Sequence, residues 1–151
     1  MNERPNMGHI PPVIIRHSQP FETTREFPSM NIKDAIKQAV GAHGIWKSRL
    51  RTAIQTGKLD MPVEQIASES TCDFGKWLLS PEMSSELSKS NVQNVRKLHA
   101  QFHRIAGRAA EFALSGKRTE AENLIADGGE YVKVSTELTL ALKAWRESGS
   151  A

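Results

Sequence analysis

Six side chains in this 151-residue sequence, five histidines and one cysteine, are the ones best suited to a soft or borderline metal ion. His9 and His17 stand in a proline-rich leader. His43, His99 and His103 stand on apolar stretches, and Cys72 stands between them in the string "STCDFGKWLLSPE". His99 and His103 are four apart, so on a helix their imidazoles project from adjacent turns of one face. Such a pair offers two nitrogens to one ion, and three nitrogens with one sulfur suit tetrahedral Zn2+. The sulfur argues against Mg2+ and Ca2+, which want oxygen. An iron bundle would need more histidines with bridging carboxylates, and Cu(I) more often recruits further sulfurs. Spacing alone leaves a second reading open. Each imidazole, and the lone thiol, would then be a polar or small core residue satisfied by protein partners.

These residues need elements to position them. Ile32, Ile36, Ala39, His43, Trp46, Leu50 and Ala53 alternate four and three apart, which is one stripe of an amphipathic helix. The helix starts near Asn31, and Gly57 is a suitable stop. "KLDMPVEQIASEST" reads as a connection with one helical turn. A short helix follows around Cys72, with Asp73 or Thr71 as its cap and Gly75 allowing close packing. A second long helix is expected from Ser84 to Ser115, with the stripe Val92, Val95, His99, Phe102, Ala106, Ala109 and Ala113. A third is expected from Arg118 to Glu147, carrying Ala121, Leu124, Gly128, Tyr131, Ser135, Leu138, Leu142 and Trp145. Gly128 and Gly129 inside it predict a kink or a close backbone approach. No strand-like alternation follows residue 30. The fold class is therefore all-α: an up-and-down antiparallel bundle of about four helices, one short and Cys-bearing. Trp46, Trp77 and Trp145 are expected as core anchors, and Lys47 and Lys76 as solvated charges.

Residues 1–30 hold five of the seven prolines and predict an extended tail, with "PPVIIRH" as a short docking segment; residues 31–148 form the domain. Composition narrows the class further. A single cysteine excludes an internal disulfide framework and favours a reducing compartment. No apolar run is long enough to cross a bilayer, and the N-terminus lacks the apolar core of a signal peptide, so a cytoplasmic protein is expected. Net charge is +3, but the basic residues are dispersed and aromatics make up 6%, so nucleic acid is not an expected partner.

Three motifs in order, "AHGIWK" with His43, "CDFGKWL" with Cys72 and "LHAQFH" with His99 and His103, resemble the chemoreceptor zinc-binding domain family. The resemblance covers roughly residues 31–147. It implies a helical bundle in which His43, Cys72, His99 and His103 are the four zinc ligands. Family members are attached to bacterial chemoreceptors and diguanylate cyclases or stand alone, so the resemblance implies a signalling partner of that kind. The sequence shows neither a receptor signalling hairpin nor a cyclase motif, and so resembles the free-standing version.

Four protein ligands leave no open position for substrate, so the expected role is regulatory rather than enzymatic, with zinc level or the oxidation state of Cys72 as its input. Zinc would hold Cys72 as thiolate, a target for oxidants, and the resemblance points to hypochlorous acid. Such a site carries a formal charge of +1, which a nearby carboxylate would offset. Asp73, Asp127 and Glu130 are the candidates. The alternative is a permanent zinc clip in a helical interaction or homodimerisation module.

Overall fold

The computed structural model describes residues 30–148. The expected tail and its "PPVIIRH" segment lie outside the described residues. Six α-helices follow in order: α1 Ile32–Thr56, α2 Val63–Ala67, α3 Asp73–Leu78, α4 Ser90–Leu114, α5 Arg118–Ile125 and α6 Glu130–Ser148. No strand occurs among the described residues, and no described helix is long and apolar enough to cross a membrane. The architecture is the expected all-α bundle.

Helix α1 begins where Asn31 Oδ1 accepts the Asp34 N–H at 2.9 Å, and ends where Gly57, at φ 67°, donates to the Ala53 carbonyl. Its predicted stripe faces inward: Ile36, Ala39, His43, Leu50 and Ala53 are buried. Trp46 is only half-buried and carries the Arg49 guanidinium 4.2 Å above its ring, so it anchors a rim rather than the core. All seven stripe residues of α4 are buried, and this helix packs against α1, α2, α5 and α6. Its C-terminal half is lined with Ala106, Gly107, Ala109, Ala110 and Ala113, whose small size lets those neighbours come close.

Two element boundaries differ from expectation. Helix α4 starts at Ser90 rather than Ser84. Pro81–Met83 instead form a 3-10 turn pinned by buried Met83, and the Ser84 and Ser88 hydroxyls donate to the Pro81 and Ser85 carbonyls. Serine side chains that bond nearby backbone compete with helix propagation in this way. The single third helix is in fact two, α5 and α6, separated at residues 126–129. Gly128 takes φ 76°, closed to a continuing helix. A Cβ on Gly129 would lie 2.5 Å from the Asn123 carbonyl oxygen and 2.6 Å from that of Leu124, so the close backbone approach is real. Its partner is the end of α5.

Candidate metal centre

The two long helices and the short Cys-bearing segment meet at one point. His43 comes from the middle of α1, His99 and His103 from the middle of α4, and Cys72 from the residue preceding α3. One ligating atom from each lies within 4.8 Å of all the others. The three histidines are buried and Cys72 is half-buried. The Cys72 sulfur lies 3.3 Å from His99 Nε2, which lies 3.0 Å from His103 Nε2.

Proton positions follow from the outer partners. His43 Nδ1 lies 2.6 Å from the Ala39 carbonyl oxygen, and His103 Nδ1 lies 2.7 Å from that of Ile66. A carbonyl oxygen only accepts, so each Nδ1 carries the proton and donates it. Burial keeps the rings neutral: desolvation lowers the His43 pKa to about 4 and also holds His99 and His103 below the ordinary histidine value. The Ala39 and Ile66 hydrogen bonds, and the Glu69 charge near His103, only partly oppose this. Neutral imidazoles protonated at Nδ1 leave Nε2 as a bare lone pair. His43 and His103 therefore aim acceptors into a pocket that also holds His99 Nε2 and a sulfur. A cation at its centre would satisfy all four donors at once.

The residues fit Zn2+ in donor type, number and spacing. A tetrahedral zinc with bonds of about 2.0–2.1 Å to nitrogen and about 2.3 Å to sulfur sets ligand atoms about 3.3–3.6 Å apart. The observed 3.0 and 3.3 Å separations fall a few tenths of an ångström short of that, and the set as a whole lies within 4.8 Å. A modest rearrangement of the side chains, outward for His99 and inward for the more distant donors, would accommodate the ion. The backbone carbonyls on both Nδ1 atoms are the usual partners that orient ligating histidines.

Cys72 itself caps α3, in place of the expected Asp73 or Thr71: its sulfur accepts the Gly75 N–H at 3.3 Å. Thr71 has another task. Its hydroxyl donates to the Gln65 and Ser68 carbonyls at 2.7 and 2.9 Å, tying the start of α3 back to α2. Burial pushes the Cys72 thiol up; the Gly75 and Phe74 N–H groups pull it down, and the Asp73 charge adds a smaller upward push. A bound metal reverses this balance by deprotonating its sulfur ligand.

Phe74 meets His43 and His99 edge-on at centroid separations of 6.1 and 5.1 Å, and Phe102 meets His43 at 5.0 Å. Behind them Trp77 stacks on Trp145 at 5.9 Å. These rings make an apolar wall around the donor atoms.

The candidate carboxylates stand elsewhere. Asp127 is fully exposed and pairs with Lys47 at 3.6 Å, and Glu130 is exposed and pairs with Arg108 at 3.1 Å. Both sit in or beside the α5–α6 break, which turns that stretch outward. Asp73 adjoins the sulfur in sequence but is exposed. The ring-orienting oxygens of Ala39 and Ile66 had no signature, since backbone carbonyls are common to every residue. The one available sign was the short α2 pattern, whose last carbonyls must find partners outside the helix.

Residues 43–110 match the chemoreceptor zinc-binding domain, a stretch that begins at His43 and contains all four clustered residues. No curated protein and no solved structure shows a significant match to the chain.

Proposed function

Because residues 43–110 of this chain belong to the chemoreceptor zinc-binding domain family, we propose that this zinc-binding signalling module holds one Zn2+ on His43, Cys72, His99 and His103 and responds to oxidation of Cys72. The convergence of two Nε2 lone pairs, a third imidazole and a thiol at one largely buried point carries the reading. Bound zinc would supply charge neutralisation and keep the sulfur a thiolate. The protein residues supply the rest. Ala39 and Ile66 fix two rings, Gly75 holds the sulfur, and Phe74 and Phe102 pack edge-on against the imidazoles.

The module would act through the stretch from α2 to α3. Helix α3 rests on the bundle through Phe74, Trp77 and Leu78 and through Cys72 at the site. Oxidation of the sulfur to sulfenic or sulfinic acid weakens it as a ligand, so α3 loses one of its attachments. A loosened α3 presents an altered surface to a partner. Here that partner is a chemoreceptor, a diguanylate cyclase or a second copy of the chain, in the cytoplasm. Ile45 and Leu140, each about three-fifths exposed, provide apolar contact surface for such pairing. The role is regulatory and non-catalytic, since four protein ligands would fill a tetrahedral zinc.

The preformed donor set also favours a permanent clip, in which zinc never leaves, and one experiment separates the two. Protein purified without added metal is analysed for zinc, then followed by hydrogen exchange before and after one equivalent of hypochlorous acid. The sensing reading expects one zinc per chain, its release on oxidation, and faster exchange across residues 63–78. Zinc that stays bound with Cys72 still reduced supports the clip. Absence of zinc from wild type, or full zinc retention by Cys72→Ala, sinks the four-ligand assignment.

A further inference from the structure

Among the described residues a cavity of about 370 Å3 lies between α1 and the start of α3. Its wall is mainly apolar, with Met30, Trp46, Met61, Phe74 and Trp77 as its large apolar side chains, while Arg49, Gln38 and Asp73 add polar groups. Of the four clustered donors only His43 and Cys72 reach it; His99 and His103 lie deeper, 1% and 2% exposed. On its other sides the Cys72 sulfur is closed in by His99 Nε2, the Gly75 N–H and the Glu69 carbonyl. A reagent therefore meets the sulfur by way of an apolar chamber large enough for an organic molecule.

We propose that this cavity makes Cys72 selective for organic hydroperoxides with an apolar body, in preference to hydrogen peroxide. The inference rests on the redox reading of Cys72 given above and assigns its substrate class. An aryl or alkyl group buried against Trp46, Phe74 and the methionines is held by the hydrophobic effect, which brings the peroxide group to the sulfur. Hydrogen peroxide has no such group and gains nothing from the wall. The thiolate sulfur attacks the terminal peroxide oxygen. An S–O bond forms as the O–O bond breaks, and that bond's electron pair departs on the alkoxide, which takes a proton from water to become the alcohol. The sulfur loses two electrons and becomes a sulfenic acid, and the peroxide gains them.

The test uses the full zinc-loaded chain with cumene hydroperoxide or hydrogen peroxide at equal concentration. Two readouts run together: Cys72 sulfenic acid, trapped and measured by mass spectrometry, and zinc release to an indicator dye. Wild type is expected to react at least tenfold faster with cumene hydroperoxide. Ala42→Trp fills the cavity from an exposed position of α1, and Gln38→Trp does so one turn away. In each the two rates are expected to converge. Equal rates in wild type overturn the proposal, as does a preference that survives both substitutions. A thiol that stays reduced towards both peroxides and towards hypochlorous acid overturns the redox reading beneath it, a distinct result.

Discussion

Gly75 occupies a position that admits no side chain. A Cβ there would fall onto the Glu69 carbonyl oxygen and lie 3.4 Å from His99 Cε1, because the first turn of α3 is pressed between the preceding loop and the α4 imidazole. Its N–H caps the Cys72 sulfur from the same spot. Gly75→Ala should therefore push α3 off the site, lowering stability by about 1–3 kcal/mol as overpacked positions do and reducing zinc affinity at least tenfold. Gly41→Ala is the control, since nothing lies within 4 Å of its Cβ position; in mid-helix it should gain about 0.5–1 kcal/mol. Thermal melts and competition with a zinc chelator measure both variants. Unchanged zinc affinity in Gly75→Ala would contradict the role given to this glycine. The closeness of Gly75 to its neighbours was legible as a glycine within the short Cys-bearing helix; which atom it approaches was not, since that depends on how the loop before it folds back.

Helix α2 has five residues, too few to be stable alone, yet it sets the orientation of His103. It is held by a close approach to α4, where a Cβ on Gly107 would lie 2.7 Å from Ala67 Cβ. That contact delivers the Ile66 carbonyl to His103 Nδ1 one helical turn away. Gly107→Val should lift α2, free the His103 ring and weaken zinc binding about 10–100-fold, the range seen when ligand-orienting partners are lost. Hydrogen exchange should rise in residues 63–71 while α1 and α6 stay protected. Unchanged exchange there together with unchanged zinc affinity would refute this account. At this scale the long helices were readable because their stripes alternate three and four apart and end at caps such as Asn31 and Gly57. The errors fell where local chemistry overrides periodicity. Ser84 and Ser88 bond carbonyls three residues back, and Gly128 turns the chain through a positive φ. Type and spacing nominated the four clustered residues, and the three-motif resemblance joined them into one set. The pairing of Asp127 with Lys47 and of Glu130 with Arg108 could not be read, because a pattern says nothing about which way a loop turns.

For the molecule as a whole, burying three imidazoles couples the metal-free fold to pH. The folded His43 pKa, about 4, lies below the ordinary value of 6.5. Between those values the unfolded chain binds the proton and the folded chain does not. Stability is thus retained above pH 6.5 and falls as pH drops toward 4, with His43 alone contributing on the order of 3 kcal/mol. His99 and His103 are shifted in the same direction and add to the slope. Chelator-treated protein melted at pH 7.5, 6 and 5 should show a steadily falling midpoint, and a flat series would mean that the rings are not held neutral. The same cluster has a topological consequence. His43, Cys72 and His99 are each separated by roughly thirty residues, so one ion gripping all of them closes two loops at once. A cross-link over a loop of that length restricts the denatured chain by about 3–4 kcal/mol in the chain-entropy picture. With a single cysteine the chain has no internal disulfide to form, and a metal knot would give it the covalent staple's entropic advantage in a form that can be untied.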